Sequence, residues 1–358
     1  MTEHTSTSAS ETVADRFDRT MPALSPAVRT IAFDALEPVD HSLPVALCQT
    51  TAAAASSERP PEQMLEAITV AIEALQGYVQ LRSQLLEHDR YTSSADRDAA
   101  ILAGDYLHAF AHASIGDLSA DDAQQLELFR VFTSGSNALS RAYLEPSSGL
   151  ENSGIDRYRR AESQLSESVP AVSAPDAILA GIAAELGATA VDATETVRES
   201  IRTYGYSLSR ALAIASLESS SSSDESPHSI AIRVLSSRTA SDIPGGPPTA
   251  SPDELATGTG RELNYSEPIE RELEYARTAL ETVYTVEQSA GAAGTLARTT
   301  ETDAGSGDDS GSVTPRQTGR SPSDRPEEGR TERADPRPRE RLERATRIPF
   351  DGVLVSNE

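Results

Sequence analysis

Between Pro26 and Ser216 apolar residues return every three or four positions, in segment after segment, and period-two alternation of the β kind is hard to find. This recurrence constrains the fold most, because a stripe of helical period can bury itself only against other packed elements. The spacing predicts helices over 26–36, 43–56, 61–88, 96–115, 120–143, 155–168, 174–189 and 192–216. Segment 61–88 shows the logic. Pro60-Pro61 opens it, which suits a first helical turn whose N–H groups have no intrahelical acceptor. Met64, Ile68, Ala71, Ile72, Leu75, Tyr78, Val79, Leu81 and Leu85 then line one broad face, and few charges interrupt it, as expected of a central helix in a bundle. Segment 174–189 starts at Pro175-Asp176, and its Gly181, Ala184, Gly187 and Ala188 let neighbouring backbones approach. The expected fold class is all-α.

The pattern changes after Ser216. Ser219 to Ser223 is an unbroken serine run, and residues 227–258 mix Pro, Gly, Ser and Thr around one apolar piece, Ile230 to Leu235. A further amphipathic helix is expected over 267–288, with Ile269, Leu273, Tyr275, Ala276, Leu280, Val283 and Tyr284 on its apolar face. The organisation read from this is a loose N-terminus (1–20), a helical domain (21–290) with a low-complexity insertion at about 218–262, and a disordered tail (291–358) with almost nothing to bury. Within the tail, Arg339 to Arg347 can form a nascent helix, and Ile348 to Val355 is a small apolar island.

Composition narrows the function classes. The net charge is −25, and every basic residue among the 31 is arginine, because the chain contains no lysine. Such an acidic surface keeps a protein hydrated where salt screens ordinary repulsion, so a halophilic, haloarchaeal-type protein is expected. No basic stripe exists to neutralise phosphates, which argues against nucleic acid. The tail arginines alternate with Asp and Glu and read as a mixed-charge linker. Cys48 is the single cysteine, so neither an internal disulfide nor a cysteine metal cluster can form. Met1 to Asp15 is polar and unlike a signal peptide, and no apolar run is long enough to span a bilayer. The expected localisation is cytoplasmic.

One run carries a more specific signal, Ala100-Ile-Leu-Ala-Gly-Asp-Tyr-Leu-His-Ala-Phe-Ala-His112. It resembles the "LAGDYL" helix of the trans-isoprenyl diphosphate synthases (polyprenyl synthetases). Three other segments resemble that family in the same order. Glu62 to Leu86 is similar to the helix ending in the first aspartate-rich motif. Ala180 to Ala190 (Ala-Gly-Ile-Ala-Ala-Glu-Leu-Gly-Ala-Thr-Ala) is similar to the stretch around "a..lGa.lag". Ile201-Arg-Thr-Tyr-Gly-Tyr-Ser-Leu-Ser-Arg-Ala211 is similar to the "fG..lG.afQ" segment that ends in the second aspartate-rich motif. The resemblance spans roughly residues 45–216 and implies an isoprenoid-synthase-type helical bundle. It also implies structural roles for Leu102, Ala103, Gly104, Asp105, Tyr106 and Gly205, with Gly104 and Gly205 marking close helix contacts.

The same resemblance implies a chemistry that this chain lacks the parts for. Active members hold Mg²⁺ between two carboxylate clusters on facing helices, and the metals neutralise a leaving pyrophosphate. Each cluster needs carboxylates at i and i+4 on one helix face. At the first position the chain reads Leu86-Glu-His-Asp-Arg-Tyr-Thr-Ser-Ser-Ala95, where Glu87 and Asp89 stand two apart and point to different sides. At the second it reads Ala213-Ile-Ala-Ser-Leu-Glu-Ser-Ser, and only Glu218 is acidic. The Gly-Gly-Lys-Arg diphosphate motif is missing, with Arg29 the only basic residue near its place, and Arg90 and Arg97 lie near the position of the paired arginines. These departures imply a catalytically degenerate, non-catalytic or regulatory partner in isoprenoid biosynthesis, without cofactor, as a homodimer or as a heterodimer with an active synthase. Two alternatives stay open. One is a divergent prenyltransferase using Glu87, Asp89 and Glu218 as a reduced Mg²⁺ set; the other is a helical module that binds an isoprenoid or lipid.

Other residues read blandly. His108 and His112 stand four apart and can share a helix face as a zinc pair would, but no third ligand is evident, so a structural role is expected. Asp105, in an apolar run, is expected to be a hydrogen-bonded core carboxylate. Asp121-Asp122 is expected to cap a helix start. Arg157, Arg159 and Arg160 read as a solvated helix face. There is no G-x-S-x-G elbow, no P-loop and no G-x-G-x-x-G after a strand.

Overall fold

The computed structural model describes residues 24–36, 42–55, 62–87, 90–118, 120–144, 174–218, 226–236, 266–301 and 337–348. Among these residues the regular elements are all helices: α1 (Pro26–Leu36), α2 (Leu43–Ala55), α3 (Glu62–Glu87), α4 (Ser94–Gly116), α5 (Asp122–Leu144), α6 (Ala174–Thr189), α7 (Glu195–Glu218), α8 (Pro227–Ser236), α9 (Glu267–Glu301) and α10 (Pro338–Ala345). The expected all-α class holds, and the predicted spans of the first five helices are met within a few residues. The predicted helix over 155–168, with Arg157, Arg159 and Arg160, lies outside the described residues, as do the serine run and most of 218–262. No described helix is long and apolar enough to cross a membrane.

The helix starts follow short polar side chains. Ser93 Oγ accepts from the Asp96 amide at 3.0 Å and donates to the Asp96 carboxylate at 2.7 Å, fixing the first turn of α4. Asp121 Oδ1 accepts from the amides of Ala123 and Gln124, each at 3.1 Å, so the expected capping role is met at the start of α5. Between α6 and α7 the chain reverses through Asp192, at φ 52°, a left-handed conformation that Asp tolerates better than most residues. The Ala193 amide reaches back to the Ala188 carbonyl at 3.1 Å, which closes the end of α6. This turn sets the start of α7 at Glu195 rather than at 192.

Two apolar clusters form the interior. The first gathers α1, α3, α4 and α5 against one side of α6, around Ile68, Ile72, Leu75, Tyr78, Leu107, Leu128 and Phe132. The second gathers α2, α7, α8, α9 and α10 against the other side of α6, around Leu47, Ile201, Tyr204, Leu208, Ile232, Leu273 and Leu342. Helix α6 serves both because its sequence is nearly all Ala, Gly, Ile and Leu and can be buried all round. Its glycines permit close approach: a Cβ on Gly181 would stand 3.1 Å from the Arg202 carbonyl, and one on Gly187 would collide with the Cys48 carbonyl.

Three findings depart from the sequence reading. The apolar piece inside the expected 218–262 insertion is the core helix α8, with Ile230, Ala231, Ile232, Val234 and Leu235 buried. Helix α9 continues to Glu301, past the expected start of a disordered tail at 291. Within that expected tail, Arg337 to Ile348 folds back onto the bundle as α10, burying Leu342, Ala345 and Ile348. The nascent helix expected over 339–347 is present, but its docking is not foreseen, because only a few of its residues are apolar. Those few share one face, and its arginines find acceptors that a local reading cannot see.

Candidate functional site

Contacts along the helices fix their directions. The Tyr143 hydroxyl donates to the Val79 carbonyl at 2.9 Å and lies 3.3 Å from Ser83 Oγ, so the last turns of α5 run beside the last turns of α3. Gln124, at the start of α5, donates to the Ala190 carbonyl just past the end of α6, at 3.1 Å, so α5 and α6 are antiparallel. A Cβ on Gly205 would stand 2.7 Å from the Ala180 carbonyl, and Arg202 pairs with Glu185 at 3.4 Å, so α6 and α7 are antiparallel as well. Helices α3, α5 and α7 therefore finish at the same end of the bundle. Glu87 is the last residue of α3 and Glu218 the last of α7, so the topology brings these two sequence-predicted candidates to one end. Asp89 lies outside the described residues.

The donor set at that end is thin. One turn before Glu87 stand Ser83 and Gln84; one turn before Glu218 stand Ile214 and Ala215, both buried. Neither helix offers a second carboxylate at the spacing a divalent cation needs for two-point attachment. Among the described residues no three His, Cys, Asp or Glu side chains come together as a metal site. Exposed apolar residues take the neighbouring positions instead: Leu86 is 59% exposed, Leu144 81% and Leu217 66%.

A second constellation sits at mid-bundle where α3, α4 and α5 meet. The His108 and His112 rings lie 4.8 Å apart, edge to face. His108 also packs on Tyr78 at 4.8 Å, and its Nε2 shares a short hydrogen bond with Ser136 Oγ. His112 meets Phe132 at 4.8 Å and Phe129 at 6.0 Å. The Arg82 guanidinium lies over Tyr78 at 5.6 Å. Burial holds His108 below the usual imidazole range; the neighbouring His112 and Arg82 push the same way, and Asp105 opposes them. Burial alone depresses His112. The two histidines share a face, as the spacing predicts, and both serve as packed rings. Sequence reasoning missed Ser136 and Tyr78 as their partners, since nothing local links residues on different helices.

The motif residues divide by face. On α4, Ala103 and Gly104 are buried, whereas Leu102 is exposed and Tyr106 is partly covered, its ring stacked on Phe110 at 6.3 Å. The expectation for Asp105 as a core carboxylate is corrected: its side chain is 60% exposed and meets Arg82 only at 3.8 Å. Its position in the helix turns it to solvent although its sequence neighbours are apolar. Gly205 marks a tight crossing as expected. Gly104 does not, because a Cβ there would meet Tyr78 at 3.7 Å and Leu81 at 3.9 Å, ordinary contact distances. Cys48 is fully buried, and burial pushes its thiol up to about 12, leaving no reactive thiolate near neutral pH.

No protein-family model matches the chain, and no curated protein sequence matches it. Among solved structures the chain is similar to a geranyltransferase from Legionella pneumophila, at 16% identity over 76% of this chain and 86% of that one, with a TM-score of 0.44. It is similar to a geranylgeranyl pyrophosphate synthetase from the archaeon Geoglobus acetivorans, at 16% identity over 76% and 89% of the two chains, TM-score 0.44. A geranylgeranyl pyrophosphate synthetase from Pyrococcus horikoshii is similar at 14% identity over 76% and 87%, TM-score 0.43.

Proposed function

We propose that the chain is a catalytically degenerate protein of the polyprenyl synthetase type, acting in the cytoplasm of a salt-adapted cell as a non-catalytic subunit of an active prenyl synthase. One observation carries this reading. Helices α3 and α7, which hold the segments resembling the two metal-binding helices, finish at the same end of the bundle, yet each brings one terminal glutamate with no carboxylate one turn before it. In the family that the chain resembles, Mg²⁺ ions bridging a diphosphate are held by paired acids on both walls. Support for pairing comes from exposed large apolar residues on both helices, Ile101 and Leu102 on α4 and Leu126 and Phe129 on α5. Several large apolar side chains left in water on two neighbouring helices suit association better than a lone exposed leucine does.

The test has two arms, both in concentrated salt. The chain alone, given Mg²⁺, isopentenyl diphosphate and an allylic diphosphate, forms no product. Mixed with an active prenyl synthase of the same host, it forms a complex and changes product chain length or rate, and Leu102→Asp with Phe129→Asp removes that effect. An unchanged product profile at every ratio, with no complex by light scattering, defeats the proposal.

A second reading has its own observation. The shared location of the ends of α3 and α7 also suits a divergent prenyltransferase with a reduced set of Glu87, Asp89 and Glu218. In that reading these carboxylates would hold Mg²⁺, which supplies charge neutralisation for a departing diphosphate. Product formation by the chain alone, abolished by Glu218→Ala, selects it.

A further inference from the structure

Helix α10 lies in a groove whose walls are α2, α7, α8 and α9, and it is held there as a ligand is held. Leu342, Ala345 and Ile348, spaced three apart, point into the groove and are almost fully buried. Around them several polar contacts run to main-chain carbonyls. Arg339 Nε donates to the Ala54 carbonyl at 3.3 Å, one residue before α2 ends, and an Arg341 guanidinium nitrogen donates to the Leu235 carbonyl at 2.8 Å, one residue before α8 ends. The last carbonyls of a helix have no intrahelical donor and carry partial negative charge, so a guanidinium is a fitting cap. Return contacts complete the grip: the Tyr204 hydroxyl donates to the Leu342 carbonyl at 2.9 Å, Tyr284 to the Arg339 carbonyl at 3.2 Å, and Arg277 to the Thr346 carbonyl at 3.2 Å.

The walls of the groove are anchored to one another independently of α10. Arg210 on α7 pairs with Glu272 on α9 at 3.2 Å, both largely buried. Thr51 on α2 donates to the Ala184 carbonyl of α6 at 3.0 Å, and Thr50 donates to the same Leu235 carbonyl that Arg341 caps, also at 3.0 Å. Helix α10 itself spans only eight residues, too few to persist as a helix in water without docking. Residues 302–337 separate it in sequence from the end of α9.

We propose that this groove is a recognition surface for an arginine-bearing amphipathic helix, and that α10 is its resident ligand in cis, leaving and returning as a unit while the rest of the bundle stays folded. The mode is helix-in-groove recognition, with apolar anchors at helical spacing and guanidinium caps for register. The inference is independent of the proposed function, since it concerns a different face and no metal or diphosphate.

Hydrogen exchange on the full chain tests it first. Amides of residues 340–348 should exchange at least about 100-fold faster than buried amides of α7 and α9, as expected of a local opening. Equal rates would make α10 an integral part of the cooperative core and overturn the idea. A labelled peptide of residues 336–350 supplies the second measurement. It should bind the full chain carrying Leu342→Asp, whose groove is vacated, at least about tenfold more tightly than the unsubstituted chain, whose own α10 competes at high effective concentration. The pair Arg339→Ala with Arg341→Ala serves the same end by weaker means. Peptide binding to neither chain, equal binding to both, loss of the far-ultraviolet helical signal in both variants, or a dimer exchanging α10 between copies would each reject the cis ligand.

Discussion

The core around α3, α4 and α5 is closed by large rings, whereas the core around α2, α7, α8 and α9 is closed by close backbone approach and by a helix that returns from far along the chain. In the first, Tyr78, His108, His112, Phe132 and Tyr143 fill the space between helices with side chains. In the second, alanines and glycines bring helices together, and buried pairs such as Arg210–Glu272 fix their register. The difference teaches where each region tolerates change. A ring-filled interface has side chains that can shift; a backbone-on-backbone crossing has nothing to move except a whole helix.

Two glycine substitutions break that contrast most sharply. A Cβ at Gly187 would collide with the Cys48 carbonyl and stand 2.5 Å from Thr51 Oγ1, so Gly187→Ala must push α2 off α6 and should cost about 2–3 kcal/mol. Gly104→Ala in the ring-filled region meets only ordinary contacts and removes a helix-interior glycine, so it should be neutral or stabilise by up to about 1 kcal/mol. Urea unfolding at fixed salt measures both. Equal losses at the two positions would erase the distinction between the regions.

Legibility from sequence divides along the same line. Helix α3 announces itself because nine apolar residues over one long segment keep helical period, and α4, α5 and α7 read nearly as well. Helix α8 does not, because it is short and flanked by polar low-complexity chain, and α10 reads only as a nascent helix, since a segment of eight residues gains its stability from docking. The acceptors for Arg339 and Arg341 are carbonyls nearly 300 and just over 100 residues away, which no local pattern can encode. For the candidate site, the resemblance pointed to Glu87 and Glu218 separately, but their arrival at one end needed the antiparallel chain of α5, α6 and α7. Asp105 misled because its apolar neighbours in sequence are not its neighbours in space.

A middle-sized effect sharpens the comparison through two tyrosines that both donate to main-chain carbonyls. Tyr204 is fully buried, and Tyr204→Phe leaves the Leu342 carbonyl inside the groove without that donor, at a cost of about 1–2 kcal/mol. Tyr143 is partly exposed, and water can replace its hydroxyl at the Val79 carbonyl, so Tyr143→Phe should cost about 0.5 kcal/mol. Denaturation midpoints of the two single variants, each against the unsubstituted chain, check the ranking. The idea fails if Tyr143→Phe proves the costlier.

The smallest effect is a pH dependence seated in the ring-filled core. His108 and His112 are held neutral by burial, and His108 also by its neighbour, so their folded values lie below the unfolded value of about 6.5. As pH falls through that unfolded value, the unfolded chain takes up protons that the folded chain refuses, and each proton taken up favours unfolding. The contribution to stability is therefore complete above about 6.5 and is lost progressively as pH falls toward the folded values. His228, depressed by burial beside α7, adds a share from the second core. Replacing both His108 and His112 with Gln keeps polar side chains of similar reach, one of them able to meet Ser136, but removes the titration. The double variant should lose some stability at pH 8 and show a flatter decline between pH 7 and 5 than the unsubstituted chain. If the decline keeps its full slope, the protons are being taken up elsewhere, and the paired rings are packing elements without electrostatic consequence.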